Sequence, residues 1–116
     1  TGRAKITGGY RLPARHVIHT VGPVWHGGDR GEEELLASCY RSSLALAAAN
    51  GLRTVAFPSI STGAYGFPIV KAAPIALRTV KEELERLPGV EKVYFVCFSG
   101  GDLEVYLKAA GEILGG

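Results

Sequence analysis

The sequence has no methionine, one tryptophan and only two cysteines, and its charges almost cancel. Each scarcity excludes something. A chain that opens Thr1-Gly2-Arg3 without Met reads as a truncated or processed product. Cys39 and Cys97 lie in apolar segments without C-x-x-C spacing or a nearby His, which argues against a disulfide or a metal site and for buried thiols in a reducing, cytoplasmic compartment. Thirteen Lys and Arg against eleven Asp and Glu leave a net charge of +2, too little to hold nucleic acid by charge alone. The longest uncharged apolar run, Val93 to Phe98, falls far short of the roughly 20 residues that span a bilayer, and no basic-then-apolar leader opens the chain. The sequence therefore reads as soluble and untargeted, with no membrane partner.

What is present is one globular domain's worth of chain. At 116 residues with 47% hydrophobic and 21% charged, residues 1–116 read as a single domain without repeats or linkers. Sixteen glycines, about twice the average usage of roughly 7%, cluster at segment ends and predict many tight turns.

The pattern alternates strand and helix. Ala4 to Leu12 alternates weakly, and His16 to Val21 is β-branched and closed by Gly22-Pro23. From Glu32 the triplet Glu32-Glu33-Glu34 suits a helix N-terminus and its dipole. Leu36, Cys39 or Tyr40, Leu44 and Ala47 then recur at helical spacing up to Asn50-Gly51. Thr54 to Pro58 is a short apolar strand. A second helix follows with Ala73, Ala76, Leu77, Val80, Leu84 and Leu87 on one face, Glu82 and Arg86 paired four apart, Pro74 in its first turn and Pro88-Gly89 as terminator. Val93 to Phe98 is the most apolar strand, and Leu103 to Leu114 a closing amphipathic helix. Continuous apolar strands alternating with helices predict an α/β fold, a parallel sheet covered on both faces.

Such sheets bind ligands at the carboxyl ends of their strands, where loops lead into helix N-termini. Two loops qualify. Ser59 to Pro68 joins a strand to a helix with small residues and glycines three apart, so that successive backbone N–H groups can converge on a diphosphate; an ordinary connection has a similar composition. Its aromatics, Tyr65 and Phe67, are either ring walls for a sugar or base or pins that hold the loop to the core. The second loop, Phe98-Ser99-Gly100-Gly101-Asp102, ends the most buried strand, and Phe98 is either a base platform or core.

Other chemistry finds no support. The loop lacks the Gly-Lys-Ser/Thr ending of a P-loop and the three-glycine dinucleotide fingerprint, and no G-x-S-x-G surrounds Ser59 or Ser61. His16 and His19, three apart on a strand, point to opposite faces and cannot share a metal. His26, beside Trp25 in a Gly-rich loop, reads as a solvated or packing histidine. No carboxylate pair offers an acid and a base.

The segments from Leu12 to Trp25, from Ala56 to Pro68 and from Val93 to Phe98 resemble the macrodomain family, in the manner of bacterial members that remove ADP-ribose or its O-acetyl ester. The resemblance implies a three-layer α/β/α sandwich with a mixed, largely parallel sheet that binds ADP-ribose along its carboxyl edge. Ser61, Thr62, Gly63, Ala64, Tyr65 and Gly66 match the family loop whose backbone N–H groups hold the diphosphate. Tyr65 falls where an aromatic meets the distal ribose, Phe98 where a ring packs on adenine, and Pro58 and Ile60 line the cleft. The family also carries an acidic residue that reads adenine, and a strand ending in Asn-Ala-Ala-Asn followed by a glycine-rich loop, and this sequence contains neither. The chain thus resembles the C-terminal portion of the domain, with the N-terminal strands missing, and no catalytic residue, metal or cofactor is assigned.

The implied parent activity is a hydrolase, either an O-acetyl-ADP-ribose deacetylase or an ADP-ribosyl hydrolase acting on modified protein or nucleic acid. The competing reading is a non-catalytic module that binds ADP-ribose, poly(ADP-ribose) or nucleic-acid ends, and a third is a plain structural fragment. In the implied sheet a missing strand lies between His16–Val21 and Thr54–Pro58, leaving a gap, so that either the segment is supplied separately or the pieces re-pair, swap or aggregate, with unpaired edges that invite self-association.

Overall fold

A computed structural model of the chain describes residues 4–8, 16–20, 22–58, 66–96 and 100–113. The order is β1 (Ala4–Gly8), β2 (His16–Thr20), α1 (Glu32–Ala49), β3 (Thr54–Pro58), α2 (Ile69–Arg86), β4 (Lys92–Val96) and α3 (Gly100–Ile113). The four strands form one sheet in the order β1-β2-β3-β4. β1 runs antiparallel to β2, and β2, β3 and β4 are mutually parallel. This is the mixed, largely parallel sheet of an α/β fold.

Period-two alternation divides the sheet into two faces. Val55 and Phe57 of β3, with Val93 and Phe95 of β4, turn toward a core built with Leu36, Tyr40 and Leu44 of α1, Ala73, Ala76 and Val80 of α2, and Tyr106 and Ala109 of α3. An aromatic chain runs through it. Phe57 meets the edge of Tyr40 at 5.1 Å between ring centroids, and Phe95 lies 6.2 Å from Phe57 and 5.4 Å from Tyr106. Each such pair adds about 0.5–1.5 kcal/mol beyond the area it buries. On the opposite face Ala56 packs with Tyr94 and Val96, and no described helix residue joins that cluster. Residues of α1, α2 and α3 all join the first of these two clusters.

The gap expected between the second and third strands is closed. β2 pairs with β3 directly and in parallel, His16 opposite Val55 and Val17 opposite Ala56. Two facing strand edges left unpaired would strand N–H and C=O groups away from any partner, and pairing with each other satisfies them. The registered contact is short beside its neighbours, since β1/β2 and β3/β4 pair along the whole length of each strand.

Three helical details also differ. α2 begins at Ile69 behind an extended N-cap, Pro68, which puts Pro74 beyond the first turn and forgoes one intrahelical hydrogen bond to the Val70 carbonyl. Arg86 pairs with the buried Glu83, 3.5 Å away, rather than with Glu82. α3 starts at Gly100, so Gly100 and Gly101 belong to its first turn and not to the loop after β4. Within α1 the buried Ser43 hydroxyl donates to the Cys39 carbonyl at 2.6 Å, and the Cys39 side chain is fully buried. No described helix is long and apolar enough to cross a membrane.

Candidate functional site

The parallel strands β3 and β4 stay in register to their carboxyl ends, where Pro58 stands opposite Val96. From Pro58 the chain passes through residues 59–65 to Gly66 and into α2 at Ile69. Of the residues expected to hold ligand, Pro58 is the last residue of β3. Gly66 is exposed, with φ of 73°, a left-handed conformation that a side chain resists and glycine adopts freely. Ile60, Ser61, Thr62, Gly63, Ala64 and Tyr65 lie outside the described residues, as does Phe98. Phe67, left open as ring wall or pin, is 1% exposed and belongs to the core: it pins the start of α2.

At that start the Pro68 carbonyl accepts hydrogen bonds from the N–H groups of Lys71 at 3.0 Å and Ala72 at 2.9 Å. The first donors of any helix have no partner within it, and with the helix dipole they favour an anion there. Lys71, on this first turn, holds its ammonium 5.3 Å from the centroid of the Trp25 ring. The Trp25 ring lies 4.6 Å from that of Phe67.

Trp25 leads into a glycine turn governed by a residue whose role the sequence reading missed. Glu32, expected to serve the helix dipole with Glu33 and Glu34, is instead 1% exposed and folds back over residues 26–30. Its Oε2 accepts from the N–H groups of His26 at 2.7 Å and Gly28 at 3.0 Å, and its Oε1 from that of Arg30 at 2.6 Å. Burial alone would raise the carboxyl pKa. The backbone donors of His26, Gly28, Arg30 and Glu32 itself outweigh burial and bring the pKa from an ordinary 4.5 down to about 2. Of the other two acidic residues, Glu34 pairs with Arg41 on the surface. The residues just before Glu32 gave a partial signal: a glycine-rich turn over 26–31 exposes backbone N–H groups that need an acceptor, and Glu32 is the acid that directly follows. His26, exposed as expected, contributes its backbone and not its ring.

Among the described residues no cluster of three His, Cys, Asp or Glu side chains stands ready for a metal ion. What the arrangement offers is a strand-to-helix crossing at the carboxyl edge of a parallel sheet, flanked by a clamped turn, an aromatic pair and one ammonium group.

Comparison with known proteins gives this arrangement a family. The macro domain model matches residues 1–76. The macro domain-containing protein CT2219 of Chlorobaculum tepidum is 67% identical over 109 residues, covering 94% of this chain and 63% of that protein. The O-acetyl-ADP-ribose deacetylase of Klebsiella pneumoniae is 56% identical over 107 residues, covering 92% of this chain and 61% of its own length. Among solved structures, a variant of the Oceanobacillus iheyensis macrodomain with ADPR superposes with a TM-score of 0.85 at 45% identity, over 98% of this chain and 61% of that one. The chain thus spans a little over three-fifths of the length of the curated relatives it matches. The match of the family model over more than half of the sequence, with this agreement of fold, establishes that the chain belongs to the macro domain family.

Proposed function

We propose that residues 1–116 act as one unit, the C-terminal portion of an ADP-ribose-binding macrodomain, and supply its diphosphate loop and one adenine wall. The observation that carries this reading is the crossing from Pro58 at the carboxyl end of β3, through left-handed Gly66, to the N-terminus of α2. That crossing is the segment whose residues, Ser61 to Gly66, match the family loop, and its helix end suits a diphosphate by dipole and by free N–H groups. Lys71 adds a positive charge on the same turn. The names of relatives point the same way, one an O-acetyl-ADP-ribose deacetylase and one a macrodomain with ADPR.

The parent activity in this reading is hydrolysis of O-acetyl-ADP-ribose or removal of ADP-ribose from modified protein or nucleic acid. A cytoplasmic setting belongs to it and rests on a sequence with only two cysteines and no C-x-x-C spacing. For these residues taken alone a second reading is favoured, a non-catalytic binder of ADP-ribose, poly(ADP-ribose) or nucleic-acid ends. Its support is that the sequence holds a single asparagine, Asn50, which caps α1 and leaves no Asn-Ala-Ala-Asn to act.

Calorimetry with ADP-ribose and chromatography of O-acetyl-ADP-ribose after incubation decide between them. Saturable binding with product supports the hydrolase and binding without product the reader. Absence of both overturns the proposal.

A further inference from the structure

We propose that Glu32 and Trp25 are positioning residues for the ligand loop: the Glu32 carboxylate holds the 26–30 turn, the turn holds the Trp25 ring against Phe67, and Phe67 fixes where the 59–66 segment enters α2. The inference rests on the ADP-ribose reading of that segment and names residues that no feature of the ligand itself would point to.

The chain of contacts is continuous. Two carboxylate oxygens receive three backbone N–H groups, at 2.7 and 3.0 Å on Oε2 and 2.6 Å on Oε1. Only an ionised carboxylate offers acceptors on both sides; a glutamine would keep one acceptor oxygen and turn its own N–H2 toward a backbone donor. Gly28, held by this clamp, sits so close to the indole that a Cβ there would lie 3.1 Å from the Trp25 Cη2 atom. The Trp25 ring in turn lies 4.6 Å from Phe67, and the Lys71 ammonium stands 5.3 Å from its centroid. Phe67 directly follows Gly66, the last residue matched to the diphosphate loop, and precedes Pro68, whose carbonyl closes the first turn of α2.

The test uses the intact polypeptide with Glu32→Gln, Trp25→Leu and Trp25→Phe, each checked for folding by circular dichroism. Affinity for ADP-ribose is read by calorimetry and for adenosine, which lacks the diphosphate, by ligand-observed NMR. Glu32→Gln and Trp25→Leu are expected to lose about tenfold or more in ADP-ribose affinity and less than about twofold for adenosine, with Trp25→Phe recovering most of the loss. Equal losses for both ligands mean a merely structural role and overturn the inference, as does unchanged ADP-ribose affinity in the folded variants. Should Glu32→Gln not fold, the Trp25→Leu and Trp25→Phe pair decides by itself. If the unsubstituted polypeptide binds no ADP-ribose, the functional reading fails first and the positioning role falls with it; if it binds while the variants bind equally well, only the positioning role falls.

Discussion

The indole of Trp25 and the phenyl ring of Phe67 meet with their centroids 4.6 Å apart and their planes inclined at 49°. One ring belongs to the turn ahead of α1 and the other to the first residues ahead of α2, so this contact ties together two helix entrances far apart in the chain. Because the sequence has a single tryptophan, its emission reports on the surroundings of Trp25, this contact among them.

Gly28 should tolerate no side chain. Its φ of 92° strains any L residue, and a Cβ there would press on the Trp25 ring at 3.1 Å. Gly28→Ala is expected to cost about 1–2 kcal/mol in urea unfolding and to shift the Trp25 emission. Gly89→Ala is the control: no atom lies within 4 Å of a Cβ built at Gly89 and its φ is not positive, so it should be neutral or stabilise by about 0.4–1 kcal/mol. Equal effects at both positions would contradict the close approach at Gly28.

Glu32 should make the stability of the fold sensitive to acid. Its folded pKa of about 2 lies below the ordinary 4.5, so the unfolded chain binds the proton more readily. The stabilisation is fully present above pH 4.5 and drains away as the pH falls from there toward 2. Urea midpoints at pH 7, 4.5, 3 and 2 should show Glu32→Gln less stable than the parent at pH 7, with the difference shrinking through that window. A constant difference at every pH would mean that the carboxylate is not held ionised.

Strands and helices were legible where a local signal brackets them. Thr54–Pro58 is β3 with the limits expected, and α1 runs from Glu32 to the residue before Asn50, whose N–H closes on the Leu46 and Ala47 carbonyls. What escaped depends on three-dimensional choices. An acid at a helix start satisfies the dipole whether it faces water or folds back, and only the turn behind it decides; for Glu32 three backbone donors decided. Spacing allowed Arg86 to reach either Glu82 or Glu83, and it pairs with the buried Glu83. Phe67 was one of two aromatics in a single loop, and composition cannot tell a pin from a wall. The ligand loop was legible as a glycine-rich strand-to-helix crossing, its residue roles came from resemblance, and of the matched residues the structure describes only Gly66 at the exit, with Pro58 at the approach.

In an intact parent domain, Gly63→Glu should abolish ADP-ribose binding while leaving the protein folded. In the proposed site Gly63 belongs to the loop whose N–H groups converge on the diphosphate, and the substitution brings both a side chain and a negative charge into that nest. Undiminished affinity by calorimetry in a folded variant would reject the loop as the site.

Phe98→Ala separates a base platform from a core residue. As an adenine wall it should weaken adenine-containing ligands by about 1–3 kcal/mol and leave ribose phosphate nearly unaffected. Equal losses for both would return Phe98 to the core.

The seam between β2 and β3 carries the last prediction. Its registered pairs are His16 with Val55 and Val17 with Ala56, while β3 and β4 pair from Thr54 with Lys92 through Pro58 with Val96. A sheet opens where its ladder is shortest, and the resemblance puts the family's Asn-Ala-Ala-Asn strand at this position. The outer strands β1 and β4 each have one neighbour among the described residues, and an open strand edge is a template for another chain. The 116 residues alone are therefore expected to bind ADP-ribose weakly, to turn over no O-acetyl-ADP-ribose and to self-associate. A peptide carrying the family strand and its Asn-containing loop should enter between β2 and β3, slow amide exchange in residues 54–58 and raise ADP-ribose affinity, because it exchanges a short ladder for two longer ones. Sedimentation as a stable monomer, together with turnover of O-acetyl-ADP-ribose by the isolated chain, would show that the β2/β3 seam is the functional sheet and that catalysis does not depend on the inserted strand.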